Sequence, residues 1–199
     1  MRVALTGGIA TGKSVVGRAL RQEGVATVDA DELAREAVAP GSPGLAAVVA
    51  RFGAGVTKAD GTLDRAALAA LVFADAAARA DLERLVHPRV RAGINGFLAA
   101  LPPGTPGIAE IPLVYETGWA PTFDVVVVVA CRPATQRLRL MARDGLSAEE
   151  ADRRLAAQWP IEDKVRLADL VVMTDGDMPS TLRAARELAG WLRGRCRPW

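Results

Sequence analysis

The chain has 199 residues, half of them apolar, and a formal net charge of +2. That length carries one α/β domain with insertions, and the near-neutral balance argues against a general nucleic-acid binder, which shows a basic face or tail. The two cysteines, Cys131 and Cys196, have no CxxC spacing, which excludes a disulfide framework or zinc site and points to a reducing compartment.

Val3-Ala4-Leu5 opens the chain as a first apolar strand. It breaks at once into Gly7-Gly8 and Lys13, so no leader peptide is expected. The longest apolar run, residues 125–131, is far too short to span a bilayer. The expectation is a cytoplasmic protein that binds neither membrane nor nucleic acid. Next comes Gly7-Gly8-Ile9-Ala10-Thr11-Gly12-Lys13-Ser14, matching G-x-x-x-x-G-K-S/T, with a helical pattern beginning near Lys13. Glycines let successive N–H groups converge on phosphate oxygens, and the helix adds its positive end. In such a P-loop Lys13 reaches the β- and γ-phosphates and the Ser14 hydroxyl ligates Mg²⁺. The expected nucleotide cradle is Gly8, Ile9, Ala10, Thr11, Gly12, Lys13, Ser14 and Val15. Ala10 carries a Cβ, so the turn must take a conformation that an L-residue accepts.

A second strand, Val25 to Val28, leads into Asp29-Ala30-Asp31. Ligands gather at the carboxyl ends of strands in open α/β sheets. In an extended segment residues i and i+2 point the same way, so one carboxylate can orient an acceptor hydroxyl and take its proton. The alternative is that Asp31 caps a helix over 32–38. A long helical gap follows. Asp64 can cap a helix carrying Leu68, Leu71 and Val72; a second carries Leu82, Leu85 and Val86; Pro88 begins a third, with Val90, Ile94, Phe97, Leu98 and Leu101 on its apolar face. Residues 101–107, rich in Pro and Gly, return the chain as a loop.

A third strand is expected over Ile108 to Ile111 and a fourth, all valine at its centre, over Val125 to Ala130. Two helices surround Asp144-Gly145-Leu146; Ser147 to Glu150 reads as a capping box for the second, which Pro160 ends. Leu170 to Met173 is the fifth strand, and a last helix runs from near Pro179 to about Arg193. Phe52, Phe73, Phe97 and Trp191 read as core, Cys131 as a small buried hydrophobe, Trp159 as packing and Lys164 as surface. Continuous apolar strands alternating with helices predict a five-stranded parallel sheet covered on both faces.

A P-loop serves kinases, switches and motors alike. The sole asparagine, Asn95, precedes Gly96, so the Asn-Lys-x-Asp guanine reader is absent, and no motor's coupling apparatus is evident. A small-molecule kinase remains, with a nucleotide-gated binding protein as the alternative. Between Arg132 and Arg143 stand four arginines and no acid, suited to charge on transferring phosphoryl oxygens. Arg143, beside the Asp144-Gly145 turn, fits that role. Arg137 is open between that role and the surface, and Arg132 and Arg139 read as a solvated face.

Together these features resemble dephospho-coenzyme A kinase. The resemblance rests on the P-loop, Asp29-Ala30-Asp31 with Pro40-Gly41, Leu63-Asp64-Arg65, Val72-Phe73-Ala74-Asp75, Leu82-Glu83 and His87-Pro88. It continues through Pro112-Leu113-Val114-Tyr115-Glu116, Arg143-Asp144, Gln158 and Ala168-Asp169. It implies a three-layer α/β/α P-loop fold with an acceptor-binding helical insertion over 32–105 and a helical lid over 132–160. It implies ATP and Mg²⁺ as cofactors and transfer of the γ-phosphoryl to the ribose 3′-hydroxyl of dephospho-coenzyme A; another nucleoside, nucleotide or metabolite is the alternative acceptor. Asp31, Lys13 and Arg143 would be catalytic and Arg137 would join the nucleotide site. Thr6, Asp31, Arg65, His87, Arg89 and Glu116 would meet the acceptor. Ala10-Thr11 replaces the usual Gly-Ser, Tyr115 the common Phe, and Thr174 a frequent Asn.

Overall fold

A computed structural model describes residues 1–195; Cys196 lies outside the described residues. The chain forms two compact units, one built from residues 1–28 and the chain from Leu101 onward, the other from residues 29–100.

The first unit holds the sheet, with strands β1 (Arg2–Gly7), β2 (Ala26–Asp29), β3 (Gly107–Glu110), β4 (Val125–Ala130) and β5 (Leu170–Met173). Their spatial order is β2-β3-β1-β4-β5, and the β1–β3, β1–β4 and β4–β5 pairings are parallel. β4 shows how sequence becomes layers. Alternate side chains of a strand face opposite sides. Val125, Val127 and Val129 join Val3 and Leu5 in a core closed by helices α1 (Lys13–Gln22) and α9 (Met178–Arg195). Val128 and Ala130 face the other way, onto Ile161 and Val165 of α8 (Ile161–Leu167). Both faces of β4 are therefore dry, which is why its sequence lacks the polar alternation of a half-exposed strand. β1 lies between β3 and β4, so the chain leaves its carboxyl end at the crevice where strand order reverses.

Beyond β4, α6 (Pro133–Asp144) and α7 (Ala148–Ala156) flank Gly145, which takes a left-handed φ of 66°, and the Ser147–Glu150 capping box is present. One expectation fails here. Pro160 does not end the second helix, which stops at Ala156; it is the N-cap of α8, a helix too short to show a clear period in sequence.

The second unit is helical: α2 (Ala30–Ala37), α3 (Pro43–Phe52), α4 (Arg65–Ala74) and α5 (Ala76–Ala100). Asp64 caps α4 as expected, accepting from the Ala66 and Ala67 N–H groups. Leu45, Val48, Val56, Leu63 and Leu68 form the core, with Val72, Leu82, Leu85 and Val86 packed against it. Three corrections arise. α3, entered at Ser42-Pro43, is unannounced in sequence because Pro40, Gly41 and Gly44 read as loop. The two expected helices on either side of Pro88 are one 25-residue helix with the proline inside it. Pro88 removes one ladder N–H, yet Val90 and Ile94 beyond it are buried and hold the helix in register. The Arg89 guanidinium donates to the Leu85 carbonyl at that point. Phe73, expected in the core, is 83% exposed; it stands one residue past Val72, about 100° around the helix from the buried stripe.

Among the described residues no helix is long and apolar enough to cross a membrane.

Candidate active site

The P-loop joins β1 to α1. Gly12, the N-cap of α1, has φ 88°. Ala10 has φ 60° and is the only non-glycine residue with positive φ among the described residues. An L-residue there costs about 1 kcal/mol, and the loop imposes it nonetheless. The turn closes on the Gly8 carbonyl, which accepts from the Thr11 N–H at 3.3 Å and the Thr11 hydroxyl at 2.8 Å. Ser14 is exposed in the first turn of α1.

Beneath the loop lies a group that the sequence reading passed over. Glu110 ends β3 and is 1% exposed; it accepts from Lys13 Nζ at 3.3 Å and from Arg21 at 2.8 Å. A buried carboxylate needs such partners. Its sequence signal was an acid inside Ile108-Ala109-Glu110-Ile111. Gly17 makes room for it: a Cβ at that position would stand 2.4 Å from the carboxylate.

The segment after β4 reaches the P-loop through uncharged groups. Gln136 and Gln158 both bond the Ile9 backbone. Thr174, 2% exposed, donates to the Thr11 carbonyl at 2.7 Å and to that of Ala130 at 3.1 Å. Arg139, expected on a solvated face, is half-buried against Thr174, donating to its hydroxyl and carbonyl. Arg137 and Arg143 are engaged by acids. Arg137 pairs with Asp152 through two hydrogen bonds, and Arg143 does the same with Asp144, which also takes Arg154. These bonds raise both guanidinium pKa values and lower that of Asp144.

A second cluster follows β3. Thr6, fully buried, donates to the Pro112 carbonyl at 3.0 Å. Lys164, expected on the surface, is 0% exposed; it pairs with Glu116 at 2.6 Å and donates to the same Pro112 carbonyl. The Trp159 N–H donates to Glu116 Oε1, and the Trp159 ring stacks on Tyr115 with centroids 6.4 Å apart. Among the described residues the Tyr115 hydroxyl has no hydrogen-bond partner, and burial, aided by Asp169, pushes its pKa up to about 12. The extra oxygen relative to Phe therefore stays neutral.

In the second unit, Asp29 rather than Asp31 caps α2, accepting from the Asp31 N–H at 2.7 Å. Asp31 is thus neither a cap nor part of an extended segment; it lies in the first turn of α2, exposed. Arg65 is the exposed first residue of α4. His87 and Arg89 flank Pro88 on α5. His87 lines an open depression with Glu83, Arg84, Pro88 and Arg91. Arg89 packs its stem where Gly44 leaves space, since a Cβ there would be 3.2 Å from Arg89 Cδ.

The dephospho-CoA kinase family model matches residues 1–180. The chain belongs to that family. A dephospho-CoA kinase of Anaeromyxobacter dehalogenans is 48% identical over 194 residues, covering 96% of this chain and 92% of that protein. One from Gloeobacter violaceus is 46% identical over 175 residues, covering 88% and 84%. Among solved structures, TT1252 of Thermus thermophilus superposes with TM-score 0.82 at 35% identity, covering 96% and 97% of the two chains. The Campylobacter jejuni dephospho-CoA kinase does so with TM-score 0.76 at 26% identity, covering 98% of each. Family membership makes this chain a phosphotransferase of the final step of coenzyme A biosynthesis, and the sheet with its P-loop is the fold the family shares.

Proposed function

We propose that this chain transfers the γ-phosphoryl of ATP to the ribose 3′-hydroxyl of dephospho-coenzyme A, releasing ADP and coenzyme A, with Asp31 as the group that receives the hydroxyl proton. The P-loop carries the reading. Its main-chain N–H groups and Lys13 are suited to the triphosphate, and they stand at the strand-order reversal where such folds bind ligands. Asp31 comes two residues after the carboxyl end of β2, on an exposed helix turn, with its neighbour Asp29 already committed to capping. Its carboxylate holds the acceptor oxygen in line with the γ-phosphorus and accepts its proton as the O–P bond forms.

Lys13 follows the charge that accumulates on the β- and γ-oxygens. Moving to them means leaving Glu110, whose charge Arg21 continues to balance. Arg143 and Arg137, in the proposed lid over 132–160, close on the transferring group and exclude water. Arg65, His87 and Arg89 bind the acceptor from the proposed acceptor region over 32–105, and Glu116 sits at the rim. Mg²⁺ would be held by the hard, exposed Ser14 hydroxyl, and bound there it would neutralise phosphate charge.

The test is incubation with ATP, Mg²⁺ and dephospho-coenzyme A, with the phosphorylated position identified by NMR. A 3′-phosphate is expected. Turnover of another acceptor in a panel, with dephospho-coenzyme A untouched, overturns the substrate. Lys13→Ala should lower kcat on the order of a hundredfold or more while the protein stays folded; undiminished turnover overturns the site.

A further inference from the structure

Two glutamines grip one residue of the phosphate loop. The Ile9 N–H donates to Gln158 Oε1 at 2.9 Å, and the Ile9 carbonyl accepts from Gln136 Nε2 at 2.6 Å. Gln136 lies on α6 and is 6% exposed; Gln158 follows α7. Chemistry fixes which amide atom faces which partner: only an oxygen can meet the N–H, and only a nitrogen can meet the carbonyl. Gly8 answers to the same contact. It has no positive φ, so its backbone does not require glycine. A Cβ there would stand 2.5 Å from Gln136 Nε2.

A trans peptide is planar, with its C=O and N–H on opposite sides. Holding the Ile9 carbonyl on Gln136 therefore turns the Ala10 N–H the other way. The Gly8–Ile9 peptide is fixed likewise, its carbonyl on Thr11 and its N–H on Gln158. These two peptides lead into Ala10, whose left-handed φ of 60° must be imposed from outside. The groups that impose it come from either end of the 132–160 segment.

We infer that Gln136 and Gln158 are positioning residues that lock the Gly8–Ile9–Ala10 peptides so that the Ala10 N–H faces a bound triphosphate, tying the grip on phosphate to the segment that closes over it. This rests on the reading of Gly7 to Ser14 as the ATP cradle. Neither side chain is assigned a contact with nucleotide. Gln136 acts as a donor and Gln158 as an acceptor, and that difference makes the inference testable.

Four variants, Gln136→Glu, Gln136→Leu, Gln158→Glu and Gln158→Met, are compared for ATP Kd by calorimetry and for KM of ATP and of dephospho-coenzyme A. Gln136→Glu keeps the shape and loses the donor. Its ATP Kd and KM should rise on the order of tenfold with the acceptor KM unchanged. Gln158→Glu adds the same charge but keeps an acceptor on Ile9, so its ATP affinity should stay within about threefold of wild type. Lowering the pH should restore ATP affinity in Gln136→Glu, because a protonated carboxyl can again donate to the Ile9 carbonyl. That rescue is read within one folded preparation, so it holds even if Gln136→Leu fails to fold. Equal losses in the two Glu variants with no pH rescue would show a charge effect alone and overturn the clasp; so would wild-type ATP affinity in Gln136→Glu. If wild-type protein binds ATP but leaves dephospho-coenzyme A unphosphorylated, the acceptor assignment fails and the Kd comparison still judges the clasp.

Discussion

Thr174 shows how one side chain can serve the site without touching a ligand. Its hydroxyl hydrogen lies between the Thr11 and Ala130 carbonyls, and the oxygen accepts from Arg139. Thr174→Val keeps the shape and removes all of this from a buried place. It should destabilise the fold by about 1–3 kcal/mol, read by urea unfolding. ATP KM should rise as well, because Thr11 is a P-loop residue. Unchanged stability and KM would make the brace incidental. Lys164 belongs at the same scale. Its ammonium is fully buried on Glu116 and the Pro112 carbonyl. Lys164→Met leaves the largely buried Glu116 carboxylate without its cation, and about 3–5 kcal/mol should be lost. The double variant Lys164→Met with Glu116→Gln should recover part of that loss; no recovery would mean that the pair is not what the lysine stabilises.

Element by element, legibility followed how much of an element's reason lies within its own residues. β4 was read to the residue because burial on both faces leaves an unbroken apolar run. Asp64 and Ser147 were read because a cap needs only its own next turn. The P-loop was read because backbone curvature and phosphate contact fix residue types at fixed spacing. What escaped depends on partners distant in sequence. Lys164 and Glu110 are ordinary charged residues until Glu116, Lys13 and Arg21 surround them. Arg139 reads as surface until Thr174 arrives from 35 residues away. The unbroken α5 escaped for a related reason: Pro88 argues locally for a boundary, while burial on either side of it argues for continuity. A proline inside a helix is less favourable than alanine by about 3 kcal/mol. Pro88→Ala should therefore raise the melting temperature, with the gain reduced by whatever bend the native packing uses. Because His87 and Arg89 flank the proline, the substitution should raise KM for the acceptor while leaving KM for ATP unchanged. A rise in the ATP KM instead would remove these residues from the acceptor's side.

At the scale of the whole molecule, acid should not loosen the chain evenly. Three carboxyls with depressed pKa values, Asp144, Glu150 and Asp175, hold the segment proposed as the lid; Asp60, Asp81 and Asp177 are lowered elsewhere in the chain. Asp144 is held low chiefly by its hydrogen bond to Arg143, with Arg154 adding to it; Glu150 by the Ser147 backbone N–H in the capping box; Asp175 by the Arg132 N–H and the Thr135 hydroxyl. A depressed folded-state pKa gives stability that is fully present above the unfolded value and is lost as pH falls through the folded one. All three therefore act in the same direction, and their loss begins below the ordinary carboxylate range, roughly pH 4. They join α6 to α7, start α7, and tie the start of α6 to the turn after β5. The valines of β4 are held chiefly by apolar packing on both faces, with one carboxylate, Asp169, on the Val126 N–H. Hydrogen exchange followed by mass spectrometry from pH 6 down to about 2.5, corrected for intrinsic rates, should show residues 132–156 losing protection while β4 remains protected. Asp144→Asn should move the onset for α6 and α7 toward neutral pH and leave β4 where it was. Simultaneous loss in the segment and in β4 would mean that the molecule opens as one unit under acid. The carboxylates around 132–160 would then not set the local stability of the segment proposed to close over ATP.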